Sequence, residues 1–252
     1  LALQITVVTL FPEVFTYLES SILKRARDRG LLIVDFVNPR DFTTDRHRTV
    51  DDMPYGGGPG MVLKPEPIFL AVNHIRQVMG NRGKIILTTP AGKRFDQETA
   101  SLLAAREGLV FLCGHYEGFD HRIHTLADLE LSIGDYVLTG GELPVMVMVD
   151  AIARMIPGVI DPDSARMESF QDGLLDFPQY TRPPVFEGMT VPPVLLSGNH
   201  EKIRRWRRKE AIKRTLNHRP DLLIGTHPSR EDAQLIDEII GESGGSQSGI
   251  VL

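Results

Sequence analysis

The residues with the most chemical promise sit in three glycine-bearing turns: TTPAGKR (Thr88 to Arg94), CGHYEG (Cys113 to Gly118) and SIGDYVLTGGELP (Ser132 to Pro144). Each follows an apolar, strand-like run. In an open parallel sheet the carboxyl ends of the strands form the ligand crevice, and glycine there lets backbone amides and carbonyls approach a ligand. A nucleotide-like ligand suits such a place. Glycine that merely ends a strand is the simpler account of any one turn; three together favour a site. The usual nucleotide signatures are missing. No glycines have the G-x-G-x-x-G spacing, and Gly92-Lys93 lacks the glycine five residues earlier that a P-loop needs, Leu87 standing there instead.

A second glycine cluster, YGGGPGM (Tyr55 to Met61), puts four glycines and a proline in seven residues, just after Asp51-Asp52. With almost no side chains to pack, its use is backbone approach or hinge motion. Tyr55, Gly56, Gly57, Gly58, Pro59 and Gly60 are therefore read as a substrate-facing loop. No metal site is expected: there is no H-E-x-x-H pair, and Cys113 is the only cysteine, which also excludes an internal disulfide and fits a reducing cytoplasm. His121 and His124 read as solvated histidines.

Charge supplies the third chemical feature. The whole chain has 28 basic and 33 acidic residues, a net charge of −5, which at first argues against a partner as acidic as nucleic acid. Lys202 to Arg219 (KIRRWRRKEAIKRTLNHR) reverses that argument. Nine of its residues are Lys or Arg and one is acidic, a local +8, leaving 19 basic and 32 acidic residues elsewhere, −13. Ile203, Trp206, Ile212 and Leu216 form an apolar stripe, so the cations fan over the other faces. Arg204, Arg205, Arg207 and Arg208 are the expected contacts to a nucleic-acid phosphate backbone. A solvated charged face is the plainer alternative, and a run so poor in acids argues against it.

The elements that must position these groups follow from periodicity. Leu3 to Leu10 alternates as a strand, and Pro12 to Arg29 reads as a helix with Val14, Tyr17, Leu18, Ile22 and Leu23 on one face, closed by Gly30. Leu31 to Val37, Lys84 to Thr89 and Leu109 to Cys113 are expected strands; Pro65 to Met79, Asp96 to Glu107 and Glu142 to Met155 are expected helices. This alternation predicts an α/β domain with a mainly parallel sheet. The irregular stretch from Pro39 to Lys64 is long enough to be functional. The expected organisation is an α/β domain over 1–160, a linker over 161–178, a small helical domain over 179–241 and a mobile tail over 242–252. Within these, the linker includes Asp161-Pro162-Asp163-Ser164, Tyr180 to Pro193 is proline-rich and extended, and helices span Asn199 to Asn217 and Arg230 to Ile240. With 252 residues and 42% apolar content the chain can build a sizeable core. Its longest apolar run, Leu143 to Val149, is far short of the roughly 20 residues of a membrane span, and no export signal opens it, so an unexported protein without a membrane partner is expected.

Taken in order, YGGGPGM, CGHYEGFDHR, SIGDYVLTGGELP and ESFQDGLLDFPQYTRP closely resemble the bacterial tRNA (guanine-N(1)-)-methyltransferase family, TrmD, over the chain up to about Ile240. The resemblance implies a SPOUT-type parallel sheet with a C-terminal trefoil knot, a small all-helical C-terminal domain, and a homodimer sharing its active sites. It implies S-adenosylmethionine as cofactor, held by Leu87, Thr88, Thr89 and Pro90, by Gly114, Tyr116, Glu117 and Gly118, and by Ile133, Gly134, Asp135, Tyr136, Val137, Leu138, Gly140, Gly141 and Pro144. The implied substrate is tRNA with guanosine at position 37, bound through its anticodon branch. Arg154, in DAIARMIPGV, matches the family's arginine. Glu168, in MESFQDG, stands where the family pattern has aspartate, so the two carry the implied catalytic roles. His115 and Met53 likewise replace frequent arginines. A non-catalytic RNA-binding or ribosome-associated protein is the alternative from another class, and a dinucleotide oxidoreductase fails on its absent fingerprint.

Overall fold

The structure, a computed structural model, describes residues 2–161, 168–170, 172–224 and 227–243. The expected tail from residue 244 onward, and positions 162–167 of the expected linker, lie outside the described residues. The chain divides into two compact units, Leu1–Pro162 and Asp163–Leu252.

The first unit is built on a five-stranded parallel sheet in the order β2-β1-β6-β5-β7, with β1 Leu3–Val8, β2 Leu32–Val37, β5 Gly83–Arg94, β6 Gly108–Leu112 and β7 Leu129–Ser132. β6 (GLVFL) is buried at every position, as a central strand covered on both faces must be. Helices α1 Ser21–Asp28, α3 Gln97–Ala104 and α4 Glu142–Met155 belong to one side: Leu23, Ala26, Ala100, Leu103, Val145, Met148, Val149 and Ile152 share a core with Ile5, Ile86 and Phe111. Helix α2 Pro65–Met79 covers the other with Ile68, Val72 and Ile75 against Val8, Ile85, Val110 and Leu112. The spacing of three and four residues along α2 and α4 is what turns one face of each helix to the sheet.

The expected single helix from Pro12 to Arg29 is two. Pro12–Glu19 is a 3-10 helix, and α1 begins only at Ser21. The Ser20 hydroxyl donates to the Tyr17 carbonyl at 2.7 Å, Ser20 is extended and Ser21 has φ +50°, which ends the first segment. With three residues per turn the buried pair becomes Phe15 and Leu18, and Val14 and Tyr17 face solvent. The expected Lys84 to Thr89 strand is also longer. Thr88 and Lys93 both pair with Leu131, so Thr89 to Gly92 bulge out of β5.

Between Pro39 and Lys64 the regular structure is short: a 3-10 turn at Pro39–Phe42 and the two-residue strands β3 Asp51–Asp52 and β4 Val62–Leu63, paired antiparallel. The glycine cluster is the loop that joins them.

The second unit contains α5 Pro193–Leu196, α6 His200–His218 and α7 Arg230–Ser243. Its core joins Ala211, Ile212 and Leu216 of α6 to Leu235 and Ile239 of α7, with Leu174 and Phe177. It is not wholly helical, and the segment from Tyr180 to Pro193 is not simply extended. β8 Val185–Phe186 and β9 Met189–Thr190 form a hairpin around Glu187 and Gly188, both at positive φ, the backbone a tight two-residue connection requires. Among the described residues no helix is long and apolar enough to cross a membrane.

Candidate functional site

The three glycine turns meet at the carboxyl ends of β5, β6 and β7 and enclose a cavity of about 330 Å³. Sixteen of the seventeen expected cofactor residues line it: Leu87 to Pro90, Gly114, Tyr116 to Gly118, Ile133, Gly134, Tyr136 to Leu138, Gly140, Gly141 and Pro144. Asp135 is the exception and is not among the lining residues. His115, Phe119, His124, Leu131, Ser132 and Thr139 line it as well. His115, Ser132 and Thr139 lie inside the same three motifs, where continuity along each turn was the available signal; Phe119, His124 and Leu131 lie outside them.

The turns are locked to one another by backbone contacts. Gly141 donates its amide to the Gly114 carbonyl at 2.7 Å, His115 bridges Gly140, and the Thr88 hydroxyl donates to the Leu112 carbonyl at 3.0 Å. A Cβ on Gly141 would lie 2.5 Å from Thr88 Oγ1 and 2.7 Å from the Gly114 nitrogen; one on Gly92 would lie 2.5 Å from the Leu131 nitrogen. No side chain fits at either point without moving backbone. Tyr116 holds φ +59°, an uncommon conformation for a non-glycine residue that turns the chain back toward the loop.

Beneath the turns lies a buried polar group. Glu142, first residue of α4, is 7% exposed and accepts a hydrogen bond from Thr9 Oγ1 at 2.8 Å. Its other oxygen stands 4.0 Å from His115 Nδ1, a buried nitrogen with no hydrogen-bond partner among the described residues. Cys113 is fully buried beside them; burial, then the Glu142 charge, pushes its thiol well above the ordinary range, which makes it an inert core residue. His124 is not the solvated residue expected: Nδ1 stands 2.7 Å from Glu130 Oε1 at the cavity wall.

The glycine loop touches this wall. The Glu117 amide donates to the Met61 carbonyl at 3.0 Å, the Leu63 amide to Gly118 at 2.9 Å and the Asp120 amide to Leu63 at 3.0 Å. A Cβ on Gly60 would fall 2.2 Å from Glu117 Oε1, so the loop's last glycine passes directly over a cavity-lining carboxylate. Tyr55, at the loop's start, is wholly exposed, and Gly56, Gly57 and Gly58 all have positive φ.

Arg154 is half-buried in the last turn of α4, and Glu168 is half-buried in a bend of the second unit. The basic helix differs most from expectation. Its arginines do not stand unopposed: Arg204 meets Glu231 at 2.7 Å, Arg205 pairs with Glu238, and Arg208 meets Asp232 at 2.7 Å and Asp172 at 3.5 Å. Lys209 adds Glu242 at 2.7 Å and Glu238 at 3.2 Å. The acids of α7 face the bases of α6, a partnership between residues more than twenty positions apart that a local charge count misses. Arg207 alone of the four expected phosphate contacts has no carboxylate partner among the described residues; its guanidinium lies over the Phe177 ring, 4.8 Å from the centroid.

Such an architecture, an open parallel sheet with a glycine-walled cavity across its carboxyl edge, defines an α/β protein whose strand ends could hold a small ligand. The family profile described as tRNA (Guanine-1)-methyltransferase TrmD matches residues 3–225. A protein of Dictyoglomus turgidum named tRNA (guanine-N(1)-)-methyltransferase is 56% identical over 239 residues, 94% of this chain and 96% of the relative. Proteins of the same name from Moorella thermoacetica and Desulfitobacterium hafniense are each 52% identical, over 96% and 95% of this chain and 98% and 92% of their own. The chain belongs to the tRNA (guanine-N(1)-)-methyltransferase family.

Proposed function

We propose that this chain is an S-adenosylmethionine-dependent methyltransferase that modifies N-1 of guanosine 37, beside the anticodon of tRNA. The observation that carries the reading is the cavity of about 330 Å³, walled by backbone from three turns, in a chain of this family. The volume is within the usual range for a small-molecule site, roughly 300–1,000 Å³. Its glycine cradle suits a ligand that mixes an adenosine with a charged amino-acid tail, because bare amides and carbonyls can serve both parts. Bound there, S-adenosylmethionine supplies an electrophilic methyl group on its sulfonium.

The chain's own residues do the rest. Guanine N-1 carries a proton, and its lone pair becomes available only when that proton leaves. Glu168 accepts this proton, and Arg154 balances the negative charge that develops on O-6. With the proton and the developing charge met by these two residues, the remaining task is in-line positioning. The loop from Tyr55 to Gly60 closes on the base, and the second unit holds the anticodon branch once the base is turned out of its stack.

The finer architecture belongs to the same proposal. A trefoil knot is supported by the sheet order, in which the chain passes from β6 to β7 across the intervening β5. A cytoplasmic homodimer with shared active sites follows from the family resemblance. A non-catalytic RNA-binding role finds no support, because the relatives are named as methyltransferases. The test is incubation with labelled S-adenosylmethionine and a tRNA transcript that has guanosine at position 37. Transfer that disappears when that base is changed is expected. No transfer, or equal transfer to the changed transcript, overturns the reading.

A further inference from the structure

A second cavity, of about 760 Å³, lies wholly within the second unit, between the segment that follows Phe177, helix α5 and the first half of α6. Its wall includes Phe177, Tyr180, Arg182, Trp206 and Arg207 and contains no aspartate or glutamate. That absence stands out on a helix where four neighbouring bases meet carboxylates of α7. Arg204, Arg205, Arg208 and Lys209 are each neutralised by an acid of α7, whereas Arg207 faces only an aromatic ring. Its Nε is buried and has no hydrogen-bond partner among the described residues. A buried donor without an acceptor is unfavourable, so it is expected to be met by a ligand atom or water.

The aromatic part of the wall is also incompletely used. Tyr180 and Trp206 are tilted by 54° with centroids 6.3 Å apart, so the two rings do not cover one another. Tyr180 is about half exposed, and Trp206 is separate from the apolar core formed by Ile212 and Leu216. A half-exposed tyrosine and a partly buried tryptophan beside an arginine without a carboxylate partner match a ligand that is planar at one end and anionic at the other. A nucleotide of an RNA strand has that chemistry: the base stacks and the phosphate meets the guanidinium.

We infer that this cavity is a nucleotide-binding subsite in which one unstacked nucleotide of the tRNA lodges against Tyr180 and Trp206, with Arg207 and Arg182 facing its phosphate. The inference rests on the proposed tRNA activity and deepens it. Of the four arginines expected to grip RNA, it gives that task to Arg207 and leaves Arg204, Arg205 and Arg208 to hold α7.

Trp206 is the only tryptophan in the chain, so its emission reports directly on the cavity. The full-length protein is titrated with the guanosine-37 transcript while tryptophan fluorescence and filter-bound RNA are followed together. Binding is expected to quench the emission in parallel with RNA retention. Arg207→Gln, checked for an unchanged melting temperature, is expected to raise the dissociation constant about tenfold, and Tyr180→Leu to do the same. Unchanged emission at saturating RNA overturns the subsite even if both variants fail to fold, because that measurement uses the unaltered chain. Emission that shifts with protein concentration alone would assign the cavity to a second copy of the chain and also overturn it. Failure of the two readings is distinguishable: a protein that methylates tRNA with steady Trp206 emission loses only the subsite. One that neither binds nor methylates tRNA loses the proposed function.

Discussion

Gly141 and Gly114 meet backbone to backbone, amide to carbonyl, at 2.7 Å, and this joint fixes the turn after β7 against the turn after β6. Both glycines line the cavity. A methyl group on Gly141 would press on Thr88 Oγ1 and the Gly114 nitrogen, so the three turns must separate to admit it. Gly141→Ala is expected to weaken S-adenosylmethionine binding at least tenfold and to destabilise the fold by about 1–3 kcal/mol, the usual range for overpacking. Calorimetric titration and thermal melting check the two effects; unchanged affinity would show that the joint does not shape the cavity.

That joint also shows what was legible in the sequence. Three glycine turns after apolar runs are a local pattern, and an α/β sheet with a crevice at its carboxyl edge follows from them. The 3-10 start of the Pro12 to Asp28 segment was not legible, because Val14, Tyr17 and Leu18 satisfy helical spacing even though Phe15 and Leu18 are the residues buried. The pairing of α6 with α7 is a tertiary fact. Glu231, Glu238 and Glu242 lie on one face of their helix at spacings of seven and four, yet nothing local says which bases they meet. A local charge of +8 was read as a free surface when much of it is an internal lattice of ion pairs.

Thr9 donates a hydrogen bond to Glu142, a carboxylate that is almost wholly buried. Thr9→Val keeps the shape and removes the donor, leaving the carboxylate to His115 at 4.0 Å. A loss of about 1–3 kcal/mol is expected from leaving a buried acceptor short of a partner. Urea denaturation of the variant measures it, and a change below the error of extrapolation would show that water takes the place of the hydroxyl.

The ion pairs of α6 and α7 set an acid limit. Hydrogen bonds from Arg208 hold the Asp232 carboxyl below its ordinary value, those from Arg204 do so for Glu231, and those from Arg205 and then Lys209 for Glu238. A folded value below the unfolded one means that the contribution is complete above the unfolded pKa, about 4 for these groups, and is lost as pH falls through the folded one. Melting followed at Trp206 is expected to be flat in this respect from pH 8 to 5 and to decline below about pH 4. Asp232→Asn should flatten that decline. A loss of stability between pH 5 and 7 that Asp232→Asn removes would contradict the assignment.

Because Arg204 and Arg205 are engaged by Glu231 and Glu238, the double change Arg204→Gln, Arg205→Gln is expected to act mainly on the second unit's stability. Exposed pairs are individually weak, so the melting temperature should fall by a few degrees at most. The dependence of tRNA affinity on salt should change little. A slope flattened by nearly two counterions would instead show that both arginines reach phosphate in the complex.

Glu168 and Arg154 are the last pair to be tested, since their proposed roles separate cleanly from cofactor binding. Neither lines the cavity at the strand ends, so Glu168→Gln and Arg154→Ala should leave S-adenosylmethionine affinity nearly intact. Loss of general-base assistance is typically worth about 10²–10⁴ in rate, and a drop of about a hundredfold or more in single-turnover methylation is expected for each. A full single-turnover rate in Glu168→Gln would move the base elsewhere. The first candidate is Asp172, four residues on, whose carboxylate is largely exposed and stands 3.5 Å from Arg208.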